Sequence, residues 1–373
     1  MKALVLKERG IIEYVEKDYP CLLDDHGVIL KPIYTSPCTS DVHTIWQGSP
    51  KRKDLTLGHE CVAEVVRVGK DVRDFKQGDI VAVPATTPDW GHKDVTINPG
   101  HAGVNFSGHL IGKTLDGAFQ EAFYLPYADK NLAHIPEGVS LIQALMCVDV
   151  VSTGFTAAEE ANIKKGDSVV VFGIGAIGLA AIMGAKYYGA SKIYAVGSRY
   201  DNTEIAKKLG AEVINYKTCK CDLPKSMHPL SNSTGSAVVN YILSETDTKG
   251  VDAVLICGGD DSTFPQAVDV CKYGTGVVSN IMYYGADLDI PENEIDGIII
   301  PKFSMGRGMA GKTLKFSLVK GGRERLEFLL ELCKEKYINP EIFVTREYDG
   351  IDKIIQAIYD MKNRDAIKIA IRM

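Results

Sequence analysis

The chain reads as α/β, with a doubly wound parallel-sheet domain inserted into a β-rich domain built from both chain ends. Three observations predict this. Residues Ser168 to Ala185 run SVVVFGIGAIGLAAIMGA, an apolar β-branched strand, a glycine turn and then a helical pattern. From Thr153 onward strand-like and helical patterns alternate, which implies parallel strands with helices on both faces. Before about Pro136 the pattern is short alternating runs such as CVAEVVRVG and GDIVAVP, punctuated by Gly58, Gly69 and Gly78, which is β-rich texture.

Taken in order, TGFTAAEEANI predicts a helix, KKGDSVVVFG the first strand of the inserted domain and LAAIMGAKYYG its helix. KIYAVGSR predicts the second strand and NTEIAKKLG the next helix, with further strands at VDAVLICGG and GVVSNIMYYG. ERLEFLLELCKEK and GIDKIIQAIYDMK have helical periodicity, and AIKIAIRM reads as a closing strand. The boundaries follow as 153–296 for the inserted domain, with 1–152 and 297–373 forming the other. GVVSNIMYYG is either an edge strand that joins two copies about a two-fold axis or simply the last strand of its sheet.

At 373 residues the chain suits two cores, and 45% hydrophobic with 24% charged residues is ordinary for a globular protein. A net charge of −6 argues against a nucleic-acid or anionic-membrane partner. The start, MKALVLKERG, has too short an apolar run for a secretory signal. Nine cysteines without a regular framework fit reduced thiols in a cytosol, one or two of them recruited by a metal. Ser168–Ala185 holds eighteen uncharged residues, enough for a membrane span, but four glycines interrupt it and Asp167 and Lys186 bound it.

The glycine turn carries cofactor chemistry. In Gly173-Ile174-Gly175-Ala176-Ile177-Gly178 the first glycine permits a tight turn and the second lets backbone approach a pyrophosphate. The third lets helix and strand pack closely, and the helix N-terminus then offers N–H groups to phosphate. About 20 residues further on, an NAD site usually carries a carboxylate for the ribose 2′-hydroxyl. Here Gly197-Ser198-Arg199 stands instead. A small residue, a hydroxyl and a guanidinium suit a 2′-phosphate, so NADP is expected, against the alternative of a solvated surface arginine.

A second constellation suggests metal. Cys38 lies in SPCTSDVHT, His59 and Glu60 in LGHE, and Asp149 in MCVDVVSTGF. Thiolate, imidazole and carboxylate are good zinc ligands, and three of them with an open fourth position describe a catalytic zinc. Spacing alone does not join them. Taken singly, Cys38 could be a buried thiol, His59 a turn histidine and Asp149 a helix cap.

A resemblance joins them. SPCTSDVHT, LGHE, TPDW, VDVVSTGF, GIGAIGL, AVGSR, GVDAV and GMAGKT resemble the zinc-dependent medium-chain alcohol dehydrogenases, most of all their microbial NADP-dependent secondary-alcohol branch. The resemblance extends over most of the chain. It implies a GroES-like catalytic domain around an inserted Rossmann domain, and zinc-assisted hydride transfer between secondary alcohols and ketones. By the same resemblance, Cys38, His59 and Asp149 hold the metal, and Glu60 can take the fourth position when substrate is absent. Ser40 and His43 match a proton relay. Gly197, Ser198, Arg199 and Tyr216 match the 2′-phosphate pocket, and Ala85 and Thr86 the substrate pocket. The branch also implies a cytoplasmic homotetramer acting on a small alcohol or ketone.

Some features depart from the family. No cysteine lies between Thr86 and Gly117, so one catalytic zinc and no structural zinc is expected, and His92, His101 and His109 suggest no closed site. Cys219 and Cys221 read as exposed thiols. Thr86 puts a hydroxyl where an aliphatic residue is usual, the pocket tryptophan is replaced by Val104, His109 or Lys113, and Gly311 and Phe316-Ser317 are unusual. These polar groups keep polyol or hydroxy-amino-acid dehydrogenation as an alternative. A zinc-free quinone-reductase-like protein and a non-enzymatic cofactor-binding role are the more distant ones.

Overall fold

The structure is a computed structural model and describes residues 1–47, 53–88, 90–91, 111–223, 236–283 and 306–373. The chain divides into two compact units, Thr153–Leu318 and the pair of segments Met1–Ser152 and Val319–Met373.

The inserted unit holds a six-stranded sheet, every neighbouring pair parallel. In spatial order its strands are Glu212–Ile214, Lys192–Val196, Ser168–Phe172, Ala253–Ile256, Val277–Asn280 and Thr313–Phe316. Numbered along the chain this is 3-2-1-4-5-6, the order of a Rossmann sheet, which reverses between Ser168–Phe172 and Ala253–Ile256. Ligands of such sheets bind outside the strand carboxyl ends at that reversal. The central strands read as continuous apolar runs because both faces are covered, and Val170, Val254, Ile242 and Phe264 share one core.

Two expectations change here. The return from the inserted unit lies at Leu318 rather than at residue 297, because Thr313–Phe316 first adds in parallel to Val277–Asn280. That extra strand also removes both readings of GVVSNIMYYG. Its strand, Val277–Asn280, is flanked on both sides, and Thr313–Phe316 forms the described edge. The apolar run Ser168–Ala185 is strand, turn and helix, as its glycines require.

The other unit is antiparallel in the main. Its larger sheet runs Val344–Asp349, Lys368–Arg372, Val28–Ser36, Glu60–Val68, Ile80–Val83 and Ala133–His134, with Phe123–Leu125 pairing Val28–Ser36. A smaller sheet orders Ile11–Glu16, Lys2–Glu8 and Leu55–Thr56. The two chain ends meet in one ladder, Ile371 opposite Thr35 and Arg372 opposite Tyr34. Pro32, which cannot donate to a ladder, coincides with a register shift before Tyr34.

A capping box of Ser140 and Gln143 opens the helix Leu141–Met146. It passes through a π-turn at Cys147–Val151 into Ser152–Glu160. This run of 20 residues is long and apolar enough to cross a membrane, but 83% of its apolar window is buried in the fold. It is a core helix.

Candidate active site

Cys38 caps the helix Thr39–Trp46. Its N–H donates to Asp41 Oδ2 at 2.8 Å, and the Ser40 N–H donates to its sulfur at 3.5 Å. The thiol thus sits at the positive end of a helix dipole, which favours its charged form. His59 and Glu60 enter the strand Glu60–Val68, pinned where Ser36 faces Glu60 and the Thr35 hydroxyl donates to the Glu60 carbonyl at 2.8 Å. Asp149 lies in the π-turn, a feature often found at functional sites.

These elements bring the four side chains together. Cys38 Sγ lies 3.4 Å from Asp149 Oδ2, and His59 Nε2 lies 3.7 Å from the same oxygen. With Glu60, the donor atoms all fall within 4.8 Å of one another. His59 Nδ1 faces Asp41 Oδ1 at 3.5 Å, an outer carboxylate that orients the ring and turns Nε2 toward the cluster. Glu60 Oε1 accepts from Lys368 Nζ at 2.5 Å, while its Oε2 is buried with no hydrogen-bond partner. An orphaned buried carboxylate oxygen is costly, and a cation beside it would satisfy it. A donor set of one sulfur, one imidazole nitrogen and two carboxylates suits zinc.

The electrostatics agree. Burial, aided by the Asp149 charge, pushes the Cys38 thiol up. Burial pushes Glu60 up to about 8 against the pull of Lys368. Burial opposes a charged His59, yet attraction to Asp41 and hydrogen bonds to Asp149, Asp41 and Cys38 hold it well above the usual imidazole range. Acids crowded this closely retain protons, and a dication would displace them on binding.

Ser40 and His43 lie three residues apart on one helix, so they share a face. Ser40 Oγ is 3.3 Å from His59 Nε2, and His43 Nδ1 is 2.5 Å from Gln47 Oε1. Ala85 and Thr86 are buried, and the Ala85 N–H donates to the Val148 carbonyl next to Asp149. The Thr86 hydroxyl is committed to the Val319 carbonyl at 3.3 Å. Lys113 Nζ reaches Thr44 Oγ1 at 3.3 Å, on the helix of Ser40 and His43. His92, His101, Val104 and His109 lie outside the described residues.

In the inserted unit, Gly173 has φ +79°, and a Cβ there would lie 2.4 Å from the Gly258 Cα. A Cβ at Gly178 would lie 2.1 Å from the Gly173 oxygen, so strand and helix approach as the motif requires. The helix Ala176–Tyr187 starts from Gly175 with no side-chain cap, leaving its first N–H groups to an anion. Arg199 faces this turn, its Nη2 3.8 Å from the position of a Cβ on Gly175. Ser198 is half-buried, and Tyr216 is exposed just after the strand whose Ile214 carbonyl accepts from the Gly197 N–H.

Several other residues find structural places. Gly311 has φ +71° and packs against Gly274, and the Ser317 N–H extends the Phe316 edge strand by donating to Asn280. Cys219 and Cys221 are half-buried rather than exposed. The Cys219 thiol donates to Ala237 and the Cys221 carbonyl accepts from Asn240, so the helix Ala237–Glu245 covers them.

Two site residues escape sequence reasoning. Asp41 had a signal, since a capping residue followed three positions later by an acid is a helix-start pattern. Lys368 had none. It is a lone lysine in a closing strand and 2% exposed.

Comparison with known proteins follows the same division. Residues 24–137 match the alcohol dehydrogenase GroES-like domain and residues 176–295 match the zinc-binding dehydrogenase domain. The chain is 39% identical over 376 residues to an NADP-dependent isopropanol dehydrogenase of Clostridium beijerinckii, covering 100% of this chain and 99% of that protein. It is 40% identical over 379 residues to a protein of the same description from Entamoeba histolytica, covering 100% and 96%. The structure of an alcohol dehydrogenase from Thermus sp. ATN1 superposes with a TM-score of 0.79 at 25% identity, covering 100% of both chains.

Proposed function

The chain belongs to the zinc-binding alcohol dehydrogenases, and we propose that it interconverts secondary alcohols and ketones with NADP(H) at the Cys38, His59, Glu60 and Asp149 cluster. The observation that carries this is the convergence of those four donors within 4.8 Å, one carboxylate oxygen among them unpaired. The two NADP-dependent isopropanol dehydrogenases, similar over the whole chain, support the substrate class and the cofactor.

Cys38, His59 and Asp149 would hold the metal, with Glu60 at the fourth position when no substrate is bound. Bound zinc would polarise the alcohol or ketone oxygen as a Lewis acid, and the nicotinamide would give or take the hydride. Ser40 Oγ accepts the alcohol proton as it releases its own hydroxyl proton, and His43, on the same helix face, carries that proton on to solvent. Asp41 holds His59 in one ring orientation. The backbone of Gly173–Gly178 receives the pyrophosphate, and Gly197, Ser198, Arg199 and Tyr216 receive the 2′-phosphate. Ala85 and Thr86 shape the substrate side. The Thr86 hydroxyl is bonded to Val319, which weakens the case for a polyol. We further propose one zinc per chain, a homotetramer and a cytoplasmic location.

The test is NADPH consumption by zinc-replete protein offered 2-butanone, with NADH as the control. Rapid, NADPH-selective turnover supports the proposal. No turnover with one zinc bound per chain overturns the substrate class and leaves the metal site standing.

A further inference from the structure

We propose that Lys368 is a positioning residue of the metal cluster, holding one oxygen of Glu60 so that this carboxylate does not close the fourth ligand position permanently. The proposal rests on the metal reading above. Lysine is almost never fully buried unless paired, and taking an ammonium out of water is expensive. Lys368 is 2% exposed, and its Nζ donates to Glu60 Oε1 at 2.5 Å and to the Pro37 carbonyl at 2.9 Å. One ammonium therefore ties the closing strand to both a ligand side chain and the residue before Cys38. The antiparallel pairs Ile371–Thr35 and Arg372–Tyr34 bring the closing strand alongside the end of Val28–Ser36, from which the chain turns to Cys38.

The two oxygens of Glu60 differ. One is taken by Lys368 and the other is buried without a partner. A carboxylate held at one oxygen beside a metal has two competing attractions, and the lysine opposes its capture by the metal. Charge supports the same arrangement. A dication and one buried lysine would bring positive charge to a cluster of one thiol and two carboxyl side chains. Low-dielectric surroundings favour that balance.

A lysine that merely stabilises the fold and a lysine that restrains Glu60 predict opposite signs for metal release. The experiment loads wild type, Lys368→Met and Lys368→Gln with zinc and follows zinc loss to EDTA. Cobalt(II)-loaded samples are also followed by visible absorption as 2-propanol and NADP are added. We expect zinc loss from Lys368→Met to slow about 10-fold, comparable in size to the smaller outer-shell effects on metal affinity but opposite in sign to the loss that such changes usually cause. Its cobalt spectrum should no longer respond to alcohol. Lys368→Gln keeps N–H donors without the charge and should move the same way by less. Faster or unchanged zinc loss in both variants, or failure of both to fold with metal, overturns the proposal and leaves the metal reading intact. Wild type that binds no zinc overturns both.

Discussion

The glycine turn proposed to hold the dinucleotide occupies consecutive residues, Gly173 to Gly178, and offers backbone. The proposed metal cluster gathers Cys38, His59, Glu60 and Asp149 from separate turns, with Asp41 and Lys368 behind them, and offers side chains. The first works by what it lacks, since a single Cβ at Gly178 would collide with the Gly173 oxygen. The second works by crowding donors and charges that would repel one another without a cation. An added methyl should therefore break one and a lost donor the other, each leaving its counterpart whole.

The largest effect is expected from Cys38→Ser. Removing an outer partner of a metal ligand costs about 10- to 100-fold in affinity, so loss of the thiolate itself should exceed about 100-fold. Zinc content and turnover should fall together while NADPH binding, read by fluorescence titration, stays unchanged. Full zinc and full activity would place the metal elsewhere. Gly178→Val tests the reverse. Overpacking typically costs about 1–3 kcal/mol, and NADPH affinity should fall accordingly with zinc content preserved.

Arg199→Ala sharpens the comparison, because Arg199 is the charged side chain facing an otherwise backbone-built turn. Hydrogen bonds to a charged group contribute about 1.5–3 kcal/mol, so the ratio of NADPH to NADH efficiency should fall about 10- to 100-fold. An unchanged ratio would break the 2′-phosphate assignment.

The smallest functional effect is expected from Asp360→Asn, a charge away from both sites. Burial pushes Asp360 up, but hydrogen bonds from Tyr348, Arg346 and Gln356 outweigh it and hold the carboxyl below its usual range. A folded pKa below the unfolded one means the stabilisation is complete above the unfolded pKa and is lost as pH falls through the folded value. Asp360→Asn should cost about 1–2 kcal/mol at neutral pH, with no change in zinc content or cofactor affinity. Melting curves against pH should show the gap from wild type closing in acid. A gap that widens in acid would reverse the sign of this reading.

Legibility follows the same divide. SVVVFGIGAIGL could be read as strand, turn and helix because each step is a local steric requirement written in neighbouring residues. So could ERLEFLLELCKEK, whose apolar spacing is observed as the helix Arg323–Lys334. The strand Thr313–Phe316 could not. It is half exposed, and only pairing with Val277–Asn280 makes it a strand, so the sequence pattern alone does not carry the inserted unit as far as Leu318.

The sequence by itself determined the alternation of elements, the glycine turn with Arg199 beyond it, and the ligand residue types, because propensity, periodicity and turn chemistry act over a few residues. Only the tertiary structure decided that Asp41 backs His59, that Lys368 is buried against Glu60, and that the Thr86 hydroxyl faces a carbonyl. The burial of Lys368 depends on the antiparallel ladder that brings the last strand onto Val28–Ser36, and the Asp41–His59 contact on the pairing of Val28–Ser36 with Glu60–Val68. A pairing between residues hundreds of positions apart leaves no periodicity in either segment, and burial of a charge becomes acceptable only once its partner has arrived.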